Sequence, residues 1–154
     1  MLRGTLNDFS RLCKKLYLRL YHRSQPTRNS PNIILTMRHI EDNLQISCVR
    51  WFSLQYPECA MLLHHSPNGG KRNAKEAARF KAMGVRAGFP DLVLHIASGG
   101  YNGLFIELKT DKGRQTEHQK EQQALLEKQN YRYVVVRSIE EFINQIELYL
   151  CCGR

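Results

Sequence analysis

Two carboxylates and a lysine stand out for the chemistry they could do together. Asp91 closes Gly88-Phe89-Pro90-Asp91 and opens Leu92-Val93-Leu94, and Glu107 sits in Leu104-Phe105-Ile106-Glu107-Leu108-Lys109. Each acid lies at the end of a short apolar run that reads as a strand. Alternate side chains of a strand share a face, so Glu107 and Lys109 point the same way. Two carboxylates and an ammonium on one sheet edge suit Mg²⁺ and a water, the equipment for hydrolysing a phosphodiester. An ordinary solvated ion-pair cluster is the plainer account of such a trio. Here Pro-Asp and Glu-x-Lys flank one hairpin, and that favours a site.

The elements that must hold these residues are legible from Met37 onward. Ile40, Leu44, Cys48, Trp51 and Phe52 recur at helical spacing and predict a helix ending near Pro57. Residues 59–65 are apolar enough for a buried strand, followed by a Pro67-Asn68-Gly69-Gly70 turn. Residues 73–83 are alanine-rich and helical, with Gly84 suited to the C-terminal end. Strands over 91–97 and 103–109 flank Ser98-Gly99-Gly100-Tyr101-Asn102, a hairpin turn. Thr116-Glu117-His118-Gln119 is a capping box opening a helix that ends near Asn130. Residues 131–137 form a β-branched strand, and Ser138-Ile139-Glu140-Glu141 caps a last helix with Phe142, Ile146 and Tyr149. The order α-β-α-β-β-α-β-α predicts one α/β domain with a mixed sheet flanked by helices.

Composition narrows the class. At 154 residues with 42% hydrophobic content the chain can bury one sizeable core. The formal net charge of +9 suits a polyanionic partner, although basic surfaces also suit acidic membranes. Most of the charge is concentrated: within 1–36, Arg3, Arg11, Lys14, Lys15, Arg19, Arg23 and Arg28 face Asp8 alone. That segment, with Leu6, Phe9, Leu12, Leu16 and Leu20 at helical spacing, reads as a basic amphipathic helix. A nucleic-acid-binding arm, a targeting segment, and residues upstream of a start set too early are its three readings. Because Met37 opens the patterned region, the last is favoured. The domain is then 37–150, with 151–154 a tail. Cys13, Cys48, Cys59, Cys151 and Cys152 show no paired Cys-x-x-Cys spacing, which argues against a structural zinc site or a disulfide framework. No apolar run is long enough to span a bilayer.

In order and context these residues resemble the VRR-NUC (virus-type replication-repair nuclease) family of the PD-(D/E)xK nuclease superfamily. The resemblance runs from about Met37 to Leu150. It rests on Glu41 in the first helix, the 67–70 turn, Gly84-Val85-Arg86-Ala87-Gly88 leading into Pro90-Asp91, then Glu107-x-Lys109, Gln119, and the closing strand and helix. It implies a restriction-endonuclease-like core and a Mg²⁺-dependent nuclease in which Mn²⁺ substitutes. Asp91, Glu107 and the Leu108 carbonyl would be metal ligands, joined by Glu41 directly or through water. Lys109 would orient the attacking water, and Gln119 would orient Lys109 or the scissile phosphate. It further implies structure-selective cutting of branched or flapped DNA, Holliday junctions included, by a homodimer in a phage-infected or bacterial cytoplasm.

Each assignment has a plainer rival. Glu41 also suits the first turn of a helix, and Gln119 already has work as the reciprocal partner of Thr116. Lys71, Arg72, Lys75, Arg79, Lys81 and Arg86 suit phosphate contacts, which would position DNA without reading its sequence; a solvated helix face explains them equally. His64, His65, His95 and His118 are expected to be structural or solvent-facing. At the level of function, a non-catalytic nucleic-acid-binding module of the same fold and a restriction-type or RNA-directed nuclease are the alternatives.

Overall fold

A computed structural model describes residues 15, 17–19, 22, 40–66 and 73–151. The rest of the basic extension, the 67–70 turn, Lys71 and Arg72 lie outside the described residues. Helix α1 (Ile40–Gln55) is followed by a 3₁₀ turn (Pro57–Leu62), β1 (Leu63–His65), α2 (Ala74–Ala82), β2 (Leu92–Leu94), β3 (Leu104–Leu108), α3 (Glu117–Lys128), β4 (Arg132–Val136) and α4 (Ile139–Cys151). The sheet order is β1-β2-β3-β4. The first two pairings are antiparallel and the last is parallel, so the sheet is mixed as expected.

The strands carry a side-chain period of two, and both faces of the central ones are buried. On one face Leu92, Leu94, Leu104, Ile106, Leu108 and Val136 pack against α1 and α4 through Trp51, Phe52, Phe142 and Ile146. Trp51 meets Phe142 edge-on at 6.0 Å between ring centroids. On the other face Val93, Phe105 and Tyr133 form a smaller cluster with Phe89, Leu126 and Tyr131. Glu107 alternates with Leu108 and so belongs to this second face, under α3.

Hydrogen bonds close the periphery. The β2–β3 hairpin turns through Gly99 and Gly100, both at positive φ, with reciprocal main-chain bonds between Ser98 and Tyr101. The buried Ser98 hydroxyl donates to the Tyr149 carbonyl at 2.6 Å, and the Tyr149 hydroxyl donates to the Ile96 carbonyl at 2.6 Å. These two bonds pin the hairpin to α4.

One element differs from expectation. Residues 59–62 are not part of a buried strand, and only Leu63–His65 are extended. Pro57, at the start of the 3₁₀ turn, has its φ fixed near the helical value and no N–H to satisfy, while Met61 is 96% exposed. An apolar run read as buried is therefore partly a surface turn. Strand 91–97 is likewise shorter, confined to Leu92–Leu94. Of the N-terminal extension, the described residues are helical, with Tyr17 and Leu18 against the core and the Tyr17 hydroxyl donating to the Ser47 carbonyl at 2.8 Å.

Candidate active site

Proline before the aspartate shapes the site. Lys109 N–H donates to the Val136 carbonyl on the β4 side, at 2.9 Å. Main-chain groups alternate along a strand, so those of Leu108 face the β2 side. Extending the β2–β3 register from Leu92↔Ile106 by two residues sets Pro90 opposite Leu108. Pro90 has no N–H to give the Leu108 carbonyl. Asp91 Oδ2 takes the Leu108 N–H instead, at 2.8 Å. The ladder ends here with one carboxylate tied to the neighbouring strand and one carbonyl without a proline donor. From the β1 side, the Asp91 carbonyl accepts the Ser66 N–H at 3.0 Å and meets His65 Nδ1 at 2.9 Å.

Glu107 is buried, and every contact it makes favours the ionised form. Lys109 Nζ lies 2.9 Å from Oε1. The Gln119 amide also donates to Oε1, and the Tyr133 hydroxyl lies 3.3 Å from Oε2. Burial still dominates and, with the nearby Asp91 charge, pushes the Glu107 carboxyl up to about 7. Asp91 is raised for the same first reason, with Glu41 adding to the rise, while the Leu108 N–H, Lys109 and His65 oppose it.

Gln119 has the capping role expected of it and makes a second contact, to Glu107 rather than to Lys109. Its Oε1 accepts the Thr116 N–H at 2.9 Å, completing the capping box of α3, while its Nε2 donates to Glu107. An amide has an acceptor and a donor end, so the roles do not compete. Gly88 makes the approach possible. At φ +80°, an added Cβ there would lie 2.5 Å from the main-chain carbonyl of His118 and 2.8 Å from Gln119 N. Only glycine lets the segment before Asp91 press against the start of α3.

The remaining candidates are placed less tightly. Glu41 is exposed in the first turn of α1; its Oε1 accepts the Thr110 N–H at 3.1 Å, which brings α1 to the end of β3 and its charge near Asp91. Lys75, Arg79 and Lys81 are exposed on α2, a helix with no buried residue, and Arg86 is exposed just after it. His64 and His95 are exposed with ring centroids 6.5 Å apart, and exposed His118 lies 3.4 Å from Glu121. His65 is a strand histidine, as expected, and its ring adds a contact to the Asp91 carbonyl; Tyr133 is the residue of the site that sequence reasoning misses, with no signal beyond its place in a strand.

Among the described residues no three His, Cys, Asp or Glu side chains gather as a ready-made ligand set. The donors at hand are two carboxylates and a main-chain carbonyl, all hard oxygens, with Glu41 nearby. That set suits Mg²⁺ or Mn²⁺, which keep several waters and need only one or two carboxylates. No described helix is long and apolar enough to cross a membrane.

Comparisons with known proteins bear on the family of the chain. The family model of the VRR-NUC domain matches residues 29–140, beginning before Met37. A solved structure described as a VRR_NUC domain protein is 38% identical, covering 73% of this chain and 89% of that one, with a TM-score of 0.65. No curated protein matches. The chain therefore belongs to the VRR-NUC domain family, a family of nucleases.

Proposed function

We propose that this chain is a Mg²⁺-dependent, structure-selective DNA endonuclease of replication, recombination or repair, with Asp91, Glu107 and Lys109 at its centre. The observation that carries the proposal is the locking of two acids side by side. Asp91 is held by the Leu108 N–H, and Glu107 by Lys109, Gln119 and Tyr133. Both carboxyls are raised by burial, an arrangement costly for stability and therefore indicative of function.

Asp91, Glu107 and the Leu108 carbonyl would hold the cation, with Glu41 reaching it through water. When bound, Mg²⁺ supplies a Lewis acid that activates a water and neutralises charge on the phosphoryl oxygens. Lys109, 13% exposed, keeps its ammonium at the mouth of the site, where it orients the water and contacts the scissile phosphate. Gln119 holds the Glu107 carboxylate from the facing helix, so little reorganisation is needed on substrate binding. The exposed bases Lys75, Arg79, Lys81 and Arg86, with Lys71 and Arg72, are proposed phosphate contacts. Their role is to position DNA, and selectivity would come from its shape. A homodimer would offer the two centres that cutting both strands of a junction requires.

The test is incubation with a four-way junction, flapped DNA, duplex, single strand and RNA, in Mg²⁺, Mn²⁺ or EDTA, alongside Asp91→Ala. Metal-dependent cleavage of branched DNA that disappears in the variant is the expected result. Binding without cleavage under every metal condition would favour the non-catalytic module. Cleavage of RNA or plain duplex alone would favour the other nuclease readings.

A further inference from the structure

We infer that Tyr133 is a positioning residue that presents one particular oxygen of Glu107, Oε2, to a divalent cation. The inference rests on the proposed metal site and adds to it the group that orients its most buried ligand. The two oxygens of Glu107 are treated differently. Oε1 receives both Lys109 Nζ, at 2.9 Å, and the Gln119 amide. A carboxylate oxygen has two lone-pair positions, so Oε1 is filled by protein donors. Oε2 has the Tyr133 hydroxyl at 3.3 Å and one lone pair left over. A cation that engages Glu107 without displacing Lys109 or Gln119 must use Oε2.

The phenol is built to stay where it is. Its ring is buried with Val93 and Phe105, in the cluster that fills the α3 face of the sheet. The Gln115 side chain lies near the phenol and opposes the rise in its pKa that burial causes. Gln115 Nε2 donates to Gln123 Oε1 at 2.9 Å, and Gln123 Nε2 donates to Glu127 Oε1 at 2.8 Å. The single hydroxyl proton of the phenol is directed at Glu107. Glu107 is thus steadied from two sides, through Gln119 on Oε1 and through Tyr133 on Oε2. With a cation bound and Glu107 fully ionised, the phenol bond becomes charge-assisted and stronger. Partners of this kind typically change metal affinity about 10–100-fold when removed.

The test uses the full chain, stripped with EDTA and titrated with Mn²⁺ by calorimetry, with free Mn²⁺ followed by its paramagnetic resonance signal. Wild type, Tyr133→Phe, Gln115→Ala and Asp91→Ala are compared, each checked by circular dichroism and cooperative unfolding. Tyr133→Phe is expected to weaken Mn²⁺ binding about 10-fold or more. Gln115→Ala, which removes a neighbour of the phenol and leaves the phenol itself, should weaken binding by a smaller factor. A purely structural tyrosine would lower the unfolding midpoint and leave affinity alone. Affinity within twofold of wild type in Tyr133→Phe overturns the inference while leaving the metal site intact. Should Tyr133→Phe not fold, unchanged affinity in Gln115→Ala overturns it equally. If wild type binds Mn²⁺ no better than Asp91→Ala, the metal site itself fails and the inference falls with it.

Discussion

Replacing Glu107 with Gln should alter how stability depends on pH in the metal-free protein. Burial raises this carboxyl from the ordinary 4.5 to about 7 in the folded state. Below pH 4.5 it is protonated whether the chain is folded or not, and contributes nothing. Between 4.5 and 7 the unfolded chain releases its proton while the folded chain retains it, so stability falls as pH rises. Above 7 the loss is complete. The interval of about 2.5 pH units corresponds, at 1.36 kcal/mol per unit, to about 3 kcal/mol. Glu107 is 1% exposed, so solvent screening does little to reduce this. Glu107→Gln removes the titration and also weakens some of the bonds from Lys109, Gln119 and Tyr133, a cost that does not vary with pH. Urea unfolding in EDTA, at pH values from 4 to 8, separates the two by slope. Wild type should lose about 3 kcal/mol more than the variant across that range. Asp91, raised in the same direction, contributes to both curves alike. Parallel curves for the two proteins would refute the reasoning, because Glu107 would then hold its proton no longer in the folded chain than in the unfolded one.

Three further outcomes are expected. Gly88→Ala should cost about 2–4 kcal/mol in urea unfolding, from strain at positive φ and overlap with the His118 carbonyl, and should reduce cleavage by moving Gln119. Thr116→Ala and Gln119→Ala should each lose about 1 kcal/mol of helix capping, yet only Gln119→Ala should impair cleavage, since the Glu107 contact survives in the other. Tyr17→Phe should lose about 1 kcal/mol by thermal or urea unfolding, with the bond to the Ser47 carbonyl gone, and an unchanged midpoint would mean that the extension adds nothing there.

Read alone, the sequence determined what depends on near neighbours. Apolar residues at helical spacing around Leu44, Cys48 and Trp51 gave α1 because one helical face must be buried. Thr116 and Gln119 gave the start of α3 because the capping box closes over three residues. Gly99-Gly100 gave the hairpin, and strand alternation put Lys109 beside Glu107, where its ammonium lies. The apolar run at 59–62 misled because hydrophobicity does not say whether anything covers it, and Met61 is left to solvent. Tertiary structure decided the contacts that span long stretches of chain. Tyr133 meets Glu107 across 26 residues only because β3 and β4 pair in parallel at one register. Glu41 reaches the Thr110 N–H across 69 residues only because α1 packs beneath the end of β3. Gly88 marks a close approach of α3, a distance set by tertiary packing and invisible in local pattern. Periodicity and capping are short-range steric facts, so the chain states them outright. The environment that raises Glu107 to about 7 arises from burial under a helix and a neighbouring acid, and exists only once the sheet and α3 have come together.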